Sequence, residues 1–175
     1  MRALHWALAL AIVFDFVRDD GDWAHRAVGY SAVGFVLIRL LWSAVTQGLG
    51  RMAMLKPSPR ATMVYLRALI SGRPPRCTGH DPLGLWMVWL LWMLVLLLGI
   101  TGWMSRLDAF WGDELLHDLH ARLADALLLA IALHLAGVAA MSWIWRENLP
   151  AAMVTGRKRD IEQSVELGAD QGRRT

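Results

Sequence analysis

The sequence predicts an all-α integral membrane protein, a four-helix bundle. Three observations predict it. Residues 82–105 and 126–145 contain no Asp, Glu, Lys or Arg, and each reaches the length of about 18–20 residues needed to cross a bilayer. The chain is 56% hydrophobic, above the roughly 45–50% of a soluble domain. Its basic residues collect in one loop and its acidic residues in two others, the asymmetry that orients a membrane protein.

The elements follow in order. The first span covers residues 2–17, short for a crossing, with Asp15 near its far end. A cleaved signal peptide competes for this stretch. His5-Trp6 within the apolar run, and no small-residue cleavage site after Val17, argue against it. The short lead raises the expectation that the natural start lies upstream of Met1. Residues 18–23 form a tight acidic turn with Asp19, Asp20, Gly21 and Asp22. The second span covers residues 25–45, apolar except for Arg39.

Residues 47–79 form a long loop with Arg51, Lys56, Arg60, Arg67, Arg73 and Arg76 and no acid. Its middle, 61–70, reads as a short amphipathic helix on the lipid surface, and Pro74-Pro75 closes the loop. The third span covers 82–104. A loop at 105–118 carries Asp108, Asp113, Glu114 and Asp118 against Arg106. The fourth span covers 119–145. Residues 1–159 are expected to be one membrane domain, and 160–175 a polar, disordered cytoplasmic tail.

The positive-inside rule puts the basic loop and both termini in the cytoplasm. The acidic loops then face the periplasm, and four spans return the chain to its starting side. Trp6, Trp23, Trp42, Trp103, Trp111, Trp143 and Trp145 fall near span ends, as an interfacial belt should. Trp86, Trp89 and Trp92 read as a packing or lipid-facing stripe rather than an electron wire. The net charge of +3 comes from basic residues beside hydrophobic spans and is no nucleic-acid signal. The single cysteine, Cys77, excludes a disulfide framework and a Cys-rich metal site. No C-x-x-C-H occurs, so any haem is held non-covalently.

Histidines carry the chemistry. His120 and His134 are 14 residues apart. That spacing closes to within about 40° of whole turns and separates the rings by about 21 Å along one helix face. His5, at the inner end of span one, matches His134 in depth. His25, at the outer end of span two, matches His120. Two pairs of neutral imidazoles in an apolar bundle suit bis-histidine haem b, one ring on each side of the porphyrin. Zinc or copper, held in a haem-free metal-ion carrier, is the rival. It is weakened by the absence of carboxylate or thiolate ligands at the inner layer. His117 lies about 100° off the face of His134 and is the poorer ligand. Arg2, Arg39 and Arg122 are candidate partners of haem propionates, or snorkelling anchors. His80 is a candidate contact of the inner haem or a quinone, or a residue at a helix entry with Asp81 and Pro82. No constellation for a general acid, base or nucleophile is present.

Taken together, Arg2-x-x-His5-Trp6, His25-Arg26-x-x-Gly29-Tyr30 and Arg39-x-x-Trp42 resemble the bacterial cytochrome b561 family. So do Gly79-His80-Asp81-Pro82-Leu83-Gly84, Thr101-Gly102, the pair His120 and His134, and Glu147-Asn148-Leu149 with Thr155-Gly156-Arg157-Lys158. The family is similar to the b-type cytochrome subunits of nickel–iron hydrogenases. The resemblance implies four helices, two b haems and electron exchange between the quinone pool and a redox partner in a bacterial inner membrane. It implies that His25 and His120 hold the periplasmic haem, and His5 and His134 the cytoplasmic one. A membrane anchor linking a redox enzyme or a c-type cytochrome to quinone is the alternative. Quinol oxidation needs a proton acceptor, for which Asp125, His117 and His80 are candidates.

Overall fold

The computed structural model describes residues 2–18, 20–45, 58–71, 82–144 and 148–155. Among them there is no strand. The helices are α1 (Arg2–Val17), α2 (Trp23–Val45), α3 (Pro59–Ile70), α4 (Pro82–Met104), α5 (Glu114–Ile144) and α6 (Leu149–Thr155), with one 3₁₀ turn at Asp108–Phe110. The protein is therefore an all-α membrane protein. Three helices, α2, α4 and α5, are long and apolar enough to cross a bilayer. α1, at 16 residues, falls short of that length, and its crossing stays a proposal.

The chain forms two compact units, Ala3–Ile131 and Ala132–Thr175. In the first, α4 packs against both α2 and α3. The core joins Ala11 of α1, Ala32 and Val36 of α2, Leu85, Trp92, Leu94 and Val95 of α4, and Leu127 and Ala130 of α5. Small residues recur because helices in lipid gain little from apolar burial and associate through close packing. Gly99 of α4 shows this best: a Cβ there would run into the Val33 side chain of α2. The outward apolar side chains, such as Leu41, Leu90, Met93, Leu129 and Leu133, stay exposed. That is what a lipid-facing surface requires.

Local chemistry sets the helix ends. Ser58 caps α3 through the Ala61 N–H and Pro59 opens it, where a missing N–H costs nothing. α3 buries Tyr65, and Trp86 of α4 donates to Thr62 Oγ1 at 3.1 Å. The short helix expected at 61–70 is thus present, with its apolar side partly spent on α4. α5 begins at Glu114, five residues before the expected start of the fourth span. Asp113 is the reason: its Oδ1 accepts the Leu116 N–H at 3.1 Å, so the cap lets the helix start in polar sequence. The 105–118 loop is correspondingly shorter.

In the second unit, Asn148 Oδ1 accepts the Ala151 N–H at 2.9 Å and starts α6. The Leu149 N–H donates to Ser142 Oγ at 3.4 Å. The tail expected at 160–175 lies outside the described residues.

Candidate functional site

The site begins at the turn between α1 and α2. The Arg18 N–H closes the last turn of α1 on Phe14 O. Its carbonyl is one of those a helix end leaves without an intrahelical partner. Gly21, at φ +66°, lets the chain reverse without a Cβ clash. Asp22 then caps α2, accepting the His25 N–H on Oδ1 at 2.8 Å and the Arg18 guanidinium on Oδ2 at 2.7 Å. The His25 backbone bond, with Arg18 beside it, holds the Asp22 carboxyl below the usual carboxylate range. The turn brings the His25 ring under the end of α1, where Nδ1 donates to the Arg18 carbonyl at 2.8 Å.

His120 reaches the same place from α5. Its ring centroid lies 6.4 Å from that of His25, with the planes 70° apart. Thr101, buried on α4, has Oγ1 2.8 Å from His120 Nδ1. The same hydroxyl lies 2.9 Å from Leu97 O and 3.1 Å from Leu98 O. A hydroxyl has one proton, and carbonyls can only accept it. Thr101 therefore donates to its own helix and accepts from His120 Nδ1–H. Gly102 of α4 lies against the same ring, where a Cβ would meet His120 Cε1 at an ordinary contact distance of 3.4 Å.

Both imidazoles thus carry their proton on Nδ1 and turn a lone pair out on Nε2. A backbone carbonyl or a hydroxyl on the far nitrogen is the usual way a metal-ligating histidine is oriented. Beside this pair stands Asp15 of α1. Its Oδ1 lies 3.8 Å from His25 Nδ1, is buried and accepts no hydrogen bond among the described residues. Gly29 makes room for it: a Cβ there would meet Asp15 Oδ2 at 3.2 Å.

The sequence matches the family model of prokaryotic cytochrome b561 over residues 1–156. The chain belongs to the prokaryotic cytochrome b561 family. It is accordingly a membrane b-type cytochrome that binds haem b and transfers electrons. Neither the curated proteins nor the solved structures gave a match to this cytochrome.

The residues present fit such a group. A metal–imidazole bond of about 2 Å on each side of an iron, plus the two ring radii, separates ring centroids by about 6 Å. The 6.4 Å between His25 and His120 agrees with that span. Among the described residues, no three His, Cys, Asp or Glu side chains converge on one point. A protein-only tetrahedral site needs more ligands than that, whereas a porphyrin supplies four of the six ligands to its iron and needs two from the protein.

The other anticipated residues of the cytochrome are placed as follows. His5 is exposed on α1, its ring 5.6 Å from that of Trp6. His134 is half-buried on α5, in the second unit, so its pairing with His5 rests on the depth count alone. Arg39 is half-buried on α2, bonded to Ser43 Oγ and 5.8 Å from the centre of the Trp92 ring. It follows His25 by 14 residues, the same interval that separates His120 from His134. That puts it on the His25 face about 21 Å along α2. Arg2 and Arg122 are exposed, as are His117 and Asp125. His80 lies outside the described residues. Thr101, Asp15 and the Arg18 carbonyl are the partners that reading the sequence did not assign. A lone hydroxyl in the otherwise apolar α4 was the available signal for Thr101.

Proposed function

We propose that this cytochrome carries electrons between membrane quinone and a redox partner through two b haems. His25 and His120 hold the haem nearer the α1–α2 turn, and His5 and His134 hold the second. The observation that carries this reading is the His25–His120 pair, 6.4 Å apart, with both Nδ1 atoms engaged. Bound haem b supplies one-electron chemistry, its iron alternating between ferric and ferrous.

The chain's own part is to hold and tune. Thr101 and the Arg18 carbonyl fix the tautomers, and Asp15 sets a negative charge beside His25. The apolar core of Val36, Leu94, Val95 and Leu127 excludes water from the helices that carry them. Arg39, 14 residues beyond His25 on α2, serves a haem propionate or a quinone carbonyl. Its charge and the Trp92 face give it the means. Arg2, Arg122 and His80 complete the candidate contacts at the rims. The basic 47–79 loop supports an inner-membrane orientation with both termini in the cytoplasm, and residues 1–159 as the membrane domain.

A docking role for the opposite rim is favoured by Asp108, Asp113, Glu114 and Asp118, all exposed. Their charge suits a basic c-type cytochrome or the basic rim of a membrane-bound redox enzyme, with association weakened by salt. Haem quantitation with a redox titration tests the main reading. Two haems per chain with separate potentials are expected. His120→Ala should remove one centre and largely spare the other. A colourless protein, or loss of neither centre in the variant, overturns it.

A further inference from the structure

A second site lies on the other side of α2. Trp23, Arg26, Ala27 and Tyr30 recur at i, i+3, i+4 and i+7, so they share one helix face. Together with Arg106 they line an open cleft of about 270 Å³. By helical rotation the middle of this face stands roughly 150° from His25. The cleft is therefore not part of the haem-facing surface. The guanidinium of Arg106 is braced 5.6 Å from the centre of the Trp111 ring. Among the described residues, neither Arg26 nor Arg106 has a carboxylate partner. With both guanidiniums lining one cleft, a bound oxyanion could pair with the two together.

The cleft's position selects the oxyanion. It sits at the first two turns of α2 and just past the end of α4, where both helices leave the apolar zone. Trp23, 75% exposed, and the half-exposed Tyr30 have the amphipathic rings that settle at lipid headgroup depth. Guanidinium pairs suit phosphate through forked hydrogen bonds. The lining residues offer no carboxylate to receive a headgroup ammonium.

The geometry points to a binding site for the phosphate of an anionic phospholipid, held by Arg26 and Arg106 over Trp23 and Tyr30. The site is distinct from the histidine pair, because its α2 residues turn to a different face of the helix from His25.

Native mass spectrometry of the full haem-loaded chain tests it, with phosphatidylglycerol and phosphatidylcholine of matched acyl chains as probes. Wild type should retain phosphatidylglycerol preferentially, a comparison that needs no variant. Arg26→Gln or Arg106→Gln should weaken that retention about fivefold each, and the double variant about thirtyfold. The haem α-band should be unchanged, and Arg60→Gln on α3 should leave lipid retention at the wild-type level. Equal binding of the two lipids, or a loss in Arg60→Gln as large as in Arg26→Gln, overturns the site. Displacement by inorganic phosphate at the potency of the lipid overturns the lipid assignment and leaves a free-phosphate site.

Discussion

Thr101 Oγ1 accepts the Nδ1 proton of His120 at 2.8 Å while committing its own proton to the α4 backbone. One hydroxyl thereby decides which nitrogen of His120 is free. It also ties α4 to α5 through the one side-chain hydroxyl in α4. In the proposed role of His120 as a haem ligand, the bond would make the imidazole a stronger electron donor and favour the ferric over the ferrous state.

Thr101→Val keeps the side-chain shape and removes the acceptor. We expect the potential of the haem proposed at His120 to rise by roughly tens of millivolts, with haem affinity down about tenfold or more. Thr101→Ser should restore both. A redox titration beside a haem assay measures this. A change in melting temperature with unaltered potential would make Thr101 a packing residue only.

Asp15 stands beside the other proposed ligand, His25. In its ionised form the carboxylate, 3.8 Å from His25 Nδ1, favours the oxidised, more positive centre. Asp15→Asn should therefore raise the potential of the same haem, again by roughly tens of millivolts. The proposed second haem should keep its value, which separates a local charge effect from general disruption.

Asp22 gives a pH dependence. Its folded-state pKa is depressed by the His25 N–H and by Arg18. The cap therefore contributes fully above the ordinary Asp value of about 3.9. That contribution is lost as the pH falls through the lower folded-state value. Haem retention at the site proposed for His25 should fall over this acid range. Asp22→Asn caps a helix nearly as well without titrating, so it should flatten the profile. Spectra across an acid titration of both proteins test the pair.

Gly99 reports on packing. Gly99→Ala drives a Cβ into Val33 and should cost about 1–3 kcal/mol by overpacking. A lowered thermal midpoint in detergent is the measurement. Val33→Ala in the same chain should recover most of the loss, because it removes the atoms that collide.

The helices were legible because lipid imposes a blunt rule on sequence: long uncharged runs. Pro82–Met104 could hardly be read otherwise. His25 and His120 were legible through depth, since ionisable groups inside an apolar run are costly and stand out. The start of α5 was not, because Asp113 and Glu114 look like loop until their capping role is seen. The Arg18 carbonyl was invisible for a deeper reason: every residue has one, and only the turn at Gly21 decides which one meets a ring. Thr101 lies 19 positions from His120, and no local pattern joins them. Arg26 and Arg106 likewise come to line one cleft only through the fold.

The tie between the end of α1 and the His25 ring bears on how the cofactor is acquired. An imidazole left to swing would lose rotational freedom at the moment of capture, and affinity would suffer accordingly. Here that freedom is surrendered when the hairpin folds, by a bond the backbone had to make with something. Under the proposed haem ligation, the polypeptide would present an already aimed electron pair to an arriving porphyrin, and loading would be a docking event rather than a rearrangement.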